Sequence, residues 1–263
     1  MVFSWIRARR RRRLAALPFP APWTNYLEQN VAHYALLTDV ERQRLSSDLR
    51  VLVVEKNWEG CGGLAITDEI KVTIAAQASL LLLGIEHDFY SHVLSVLVYP
   101  STFMIPQRPD PDTWLIEDEE ERLGEAWYRG PVILAWDTVQ ADGRDLSRGR
   151  NLVIHEFAHQ LDFADGMMNG TPPLRGGTHR RQWRNVMTRE YEALIRDADR
   201  GRATVLDEYG ATDPCEFFAV VSECFFTRPL AMRDRHPQLY VLLQDYYGQD
   251  TAAREASRGA SPR

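Results

Sequence analysis

The sequence predicts an α+β domain, on three observations. Two short β-branched runs, HVLSVLVYPSTF (92–103) and GPVILAWDTV (130–139), are bounded by Pro or Gly and read as strands. Six longer segments have helical spacing. Strands precede the main helices instead of alternating with them, which favours α+β over a parallel α/β sheet.

Taken in order, residues 1–20 read as a disordered basic tail. RARRRRR (7–13) is followed by LAALPFPAPW, too short and too broken by prolines for the apolar core of a secretory signal. The bland reading of this charge run is a solvated tail; the other is contact with an acidic partner or a membrane surface. One domain is expected over 21–248, with no linker to divide it. Residues 37–56 read as a helix, with Thr38 and Glu41 as a capping box. Residues 64–84 form a stronger one: Thr67 caps it, Asp68 and Glu69 suit the positive end of the dipole, and Gly84 suits the stop. DPDTWLIEDEEERLGEAW, between the two strands, reads as an acidic loop or hairpin. Helices follow at 149–163, 178–197, 213–227 and 236–247. The small, polar residues 249–263 read as a disordered C-terminal tail.

Composition excludes some functions. The chain has 263 residues, 44% hydrophobic and 26% charged, with a net charge of −6. Six arginines lie in 7–13, so the rest carries −12, which argues against a nucleic-acid-binding body. Three cysteines without framework spacing suggest a reducing compartment, and a cytoplasmic location is expected. No run of about 18 apolar residues occurs, so no stable membrane insertion is expected.

The chemistry is carried by NLVIHEFAHQLD (151–162). On a helix, positions i and i+4 share a face, so His155 and His159 project together and can hold one Zn²⁺ from two directions. Glu156, rotated by about 100°, faces the open coordination position as a general base. This is the HExxH arrangement of zinc proteases. Chance produces it on the order of once in a hundred chains with this histidine content. The surrounding Leu152, Val153, Ile154, Phe157, Ala158 and Leu161 make the helix apolar nearly all round. Polar groups in such a helix need a partner, and a metal supplies one. The competing reading is an internal hydrogen-bonded His/Glu cluster.

A catalytic zinc needs a third protein ligand. DPCEFFAVVSECFFTRP (213–229) reads as a second helix apolar all round, capped by Asp213 with Pro214 in its first turn. Its carboxylates, Glu216 and Glu223, are seven apart and differ by about 20° around the axis and roughly 10 Å along it. Spacing alone does not choose between them. Asp162, three after His159, is a further contender, as a ligand or as a residue that orients a ligand histidine, the remaining reading being a plain helix-end contact.

HEFAHQLD, GEAWYRGPVILAWD (124–137), LTDVERQRL, IAAQASLLLLG and YGATDPCEFFAVVSECFF (209–226) together resemble the Mlc titration factor A family of zinc metallopeptidases, over roughly residues 20–247. Part of the pattern is similar to the catalytic domain of anthrax lethal factor. The resemblance implies a zincin-like metallopeptidase domain with a small mixed sheet and an HExxH active-site helix, and a gluzincin site in which Zn²⁺ is held by His155, His159 and Glu216. It implies that Glu223 supports a ligand from behind. It also matches Tyr209 to a tyrosine implicated in transition-state stabilisation, where a phenol can donate to an oxyanion. Some family members add a zinc-contacting histidine before the GEAW-like segment; here that loop has none, and Glu117 is near the equivalent place. The implied function is zinc-dependent hydrolysis of peptide or protein substrates, with aminopeptidase-like activity. The alternative is a regulatory protein that captures a transcriptional repressor, after which the family is named.

Overall fold

In the computed structural model, residues 2–102, 130–174 and 176–259 are described. The loop carrying Glu117 and the GEAW segment lie outside the described residues. Helices dominate. The N-terminal part contains α1 (Val2–Ala15), α2 (Ala21–Asn30) and α3 (Asp39–Glu55). Then come β1 (Asn57–Gly60), α4 (Asp68–Leu80), β2 (Ser95–Tyr99) and β3 (Val132–Ala135). The remainder is α5 (Trp136–Arg144), α6 (Leu152–Asp162), α7 (Gly176–Ala198), α8 (Pro214–Thr227), α9 (Pro229–Arg235), α10 (Pro237–Tyr247) and α11 (Thr251–Gly259).

The expected mixed sheet is corrected by the strand pairing. Among the described residues the sheet has three strands, ordered β1-β2-β3, and both pairs are parallel. A parallel pair needs a crossover, and α4 provides it between β1 and β2. The run read as one strand over 130–139 is four residues of strand followed directly by α5.

Local signals set most helix starts. Thr38 and Glu41 form the reciprocal capping box at α3. Thr67 accepts from the Ile70 N–H at α4, which is buried over almost its whole length. That helix stops at Leu80; Gly84 lies further on, where a Cβ would sit 2.1 Å from the Tyr247 carbonyl oxygen. α4 packs on α2 and α3, while α6 packs chiefly on α8. Phe157, Phe217, Phe218 and Phe225 are among the largest fully buried side chains.

Both expected tails contain helix. α1 is held by Arg11, whose Nη2 lies 2.7 Å from Glu55 Oε2, and by Arg50, which donates to the carbonyls of Leu14 and Ala15 at 3.2 and 2.9 Å. α11 is anchored by buried Ala252, whose N–H donates to Tyr240 Oη at 2.8 Å, and by Arg254, which pairs with Glu41. In both cases the partners are remote in sequence, so local composition carries no trace of them. None of the helices is long and apolar enough to cross a membrane, among the described residues. The three cysteines are free thiols.

Candidate metal centre

α6 and α8 bring the site together. Asn151 caps α6: its Oδ1 accepts from Ile154 N–H at 2.9 Å, and its Nδ2 donates to Gln77 Oε1 of α4 at 2.6 Å. Asp213 caps α8 through the N–H groups of Cys215 and Glu216, at 2.7 and 2.9 Å. The two polar caps fix how each apolar rod enters the core. Their inward carboxylate and imidazoles then meet.

His155 Nε2 and His159 Nε2 are 3.2 Å apart. Glu216 Oε2 lies 3.0 Å from the first and 3.4 Å from the second. These three side chains are the one group of metal-ligating atoms converging within 4.8 Å among the described residues. The donor set fits a divalent ion of zinc type: two imidazole nitrogens and one carboxylate oxygen are three of the four positions of a tetrahedral site. Glu216 Oε2 is buried yet makes no hydrogen bond of good geometry, which also fits a position that awaits a cation.

Glu223 sits behind this group. Its Oε1 is 2.5 Å from His155 Nδ1, and its Oε2 accepts from the Asn151 N–H at 2.7 Å. One carboxylate thus orients the imidazole and satisfies an orphan donor at the start of the same helix. The seven-residue offset along α8 puts Glu216 beside both Nε2 atoms and Glu223 beside Nδ1.

Electrostatics follow from this packing. Burial opposes charge on His155, but Glu216 and Glu223 outweigh it, and the imidazole pKa is pushed up to about 10. Burial likewise works against ionised Glu216, and the facing imidazoles reverse it, holding the carboxyl well below the usual range. A site that stabilises a buried positive charge so strongly also attracts a metal cation.

The remaining expected residues separate. Glu156 lines the same cleft of about 700 Å³ as His155, His159 and Glu216. Tyr209 also lines it; its ring is 6.1 Å from that of His155, and the residue is 52% exposed. Asp162 stays outside the converging group. Its Oδ2 accepts from Asn169 and Gly170 N–H at 3.1 and 2.8 Å and pins the loop after α6. Burial raises its pKa. The sequence reading missed Asn151 and Gln77. The signal for Asn151 was available, a cap-type residue immediately before LVIHEF; the Gln77 contact spans 74 residues and had none.

Comparison with known proteins places this geometry in context. The family model described as glucose-regulated metallo-peptidase M90 matches residues 5–248. The chain is 39% identical over 240 residues to the uncharacterized protein slr2042 of a Synechocystis strain, covering 90% of this chain and 87% of that one. It is 34% identical over 250 residues to Mlc titration factor A of Pectobacterium atrosepticum, covering 89% and 92%. Against Mlc titration factor A of Yersinia enterocolitica the identity is 33% over 245 residues, covering 89% and 87%.

Proposed function

This chain belongs to the glucose-regulated metallo-peptidase M90 family, and from that premise we propose that it is a zinc-dependent peptidase of zincin-like fold and gluzincin type, working in a reducing, cytoplasmic setting. The observation that carries this reading is the convergence of His155, His159 and Glu216 on one point in the wall of a cleft that Glu156 also lines. His155, His159 and Glu216 would hold the zinc. When bound, Zn²⁺ supplies a Lewis acid that polarises the scissile carbonyl and lowers the pKa of a water towards 7.

The chain's own residues do the rest. Glu156 takes a proton from the attacking water and delivers it to the leaving amine. Tyr209 donates a hydrogen bond to the oxyanion. Glu223 keeps the His155 ring turned so that Nε2 faces Glu216. β3 is the outer strand of the sheet among the described residues, and Val132, Ile133 and Ala135 line the cleft. An extended peptide can pair with that edge and lie across the site. Aminopeptidase-like cleavage is the form of activity that the family resemblance favours.

The test is metal analysis of the purified protein beside Glu216→Ala and Glu223→Ala, with turnover of a peptide panel by Glu156→Gln. Glu216→Ala is expected to lose the metal. Glu156→Gln is expected to retain it and lose roughly 10²–10⁴-fold in turnover. Undiminished turnover in Glu156→Gln would remove that residue from the mechanism.

A second reading rests on relatives that carry the name Mlc titration factor A. In it the chain captures a regulatory protein, a transcriptional repressor. Capture unaffected by zinc removal and by Glu156→Gln, with no peptide cleavage by the native chain, would favour this reading.

A further inference from the structure

α1 uses one side to hold the body and, among the described residues, leaves the other exposed. At about 100° per residue, Arg12, Trp5, Arg9, Arg13, Ile6 and Arg10 fall, in that order around the axis, within an arc of about 160°. All six are exposed; Trp5 is 58% and Ile6 51% accessible. Arg11 lies on the opposite side and is, among the described residues, the one arginine of the six in 7–13 that pairs with a carboxylate, Glu55. Arg50 ties down the C-terminal carbonyls of the helix. The guanidinium of Arg9 lies 5.5 Å from the Trp5 ring centroid, so charge and apolar surface are interleaved on the outward face. No acidic residue occurs in the first 20 positions, while the rest of the chain beyond the arginine run carries −12.

We propose that this face of α1 docks the protein on the surface of an anionic lipid bilayer. The interfacial zone of such a bilayer takes both halves of the patch at once. Arginines meet anionic headgroups, while the indole and the isoleucine side chain enter the boundary with the acyl chains. A nucleic acid would satisfy the arginines and leave Ile6 in water. The acidic body is repelled by the same surface, so the molecule approaches helix first.

The test is flotation of the full chain with phosphatidylglycerol-containing vesicles and with pure phosphatidylcholine vesicles. The native protein is expected to float with the anionic vesicles alone, and 0.5 M salt should weaken this by screening. Arg9→Ser, Arg10→Ser, Arg12→Ser and Arg13→Ser combined should cut partitioning about a thousandfold. The same four sites changed to Lys should retain most of it. Trp5→Ala with Ile6→Ser should weaken binding severalfold while keeping its salt dependence. Circular dichroism should be unchanged in each variant, because these side chains are exposed and the Arg11–Glu55 pair is intact. Absence of flotation by the native chain, or equal flotation by the four-serine variant, would overturn the proposal. So would binding to a duplex oligonucleotide without binding to anionic vesicles.

Discussion

Glu223 shows how much one side chain does at the candidate centre. It orients His155 through Nδ1 and accepts the first backbone N–H before α6. Glu223→Gln keeps the shape and removes the charge, so metal affinity should fall by about 10–100-fold, measured by competition with a chelator. Tyr209 is placed differently. It is half exposed, on a short turn capped by Asp207, whose Oδ1 accepts from the Tyr209 N–H at 3.0 Å. If its phenol serves the oxyanion, Tyr209→Phe should lower kcat by roughly 10²-fold with little change in KM or metal content. A variant with full kcat would reduce Tyr209 to a wall of the cleft.

At the scale of elements, the site depends on helix starts as much as on ligands. Asp213 accepts from the N–H of Glu216 itself, so the cap of α8 and the proposed third ligand are one rigid unit. Asp213→Ala should cost about 1 kcal/mol of stability, read from the denaturation midpoint, and should also weaken metal binding. Thr38→Ala at α3 is the control: a similar loss of stability, with metal affinity unchanged, because that cap is remote from the centre. The parallel sheet contributes by position. Among the described residues β3 ends the order β1-β2-β3, and its Val132, Ile133 and Ala135 line the cleft.

For the whole molecule, stability should depend on pH through His33. This residue follows α2 and packs under α8, with Nε2 3.1 Å from the Phe226 carbonyl oxygen. Burial, reinforced by Arg254, lowers its pKa from 6.5 to about 4, against the opposing hydrogen bond to Phe226. The unfolded chain therefore binds a proton more readily than the folded one between those values. Stability is fully present above about pH 6.5 and is lost as pH falls towards 4, by roughly 3 kcal/mol at most. Denaturant titrations of native protein and His33→Gln across this window should diverge, with the variant showing the flatter profile. Identical profiles would mean that His33 titrates alike in both states.

What the sequence by itself determined is the set of short-range facts. Thr38, Thr67 and Asp213 announce their helices, because a cap is satisfied within three residues. His155 and His159 share a face because helical pitch alone puts them there. The tertiary structure decided whatever depends on groups far apart in the chain. It set Glu216 against the imidazoles and Glu223 behind one of them, a distinction of depth along α8 that angular spacing could not express. It paired the three described strands in parallel and ordered the two ends of the chain as α1 and α11, through contacts such as Arg11–Glu55 and Arg254–Glu41. Local propensity carries no information about partners 40 or more residues away, since those contacts exist only once the core has brought the segments together.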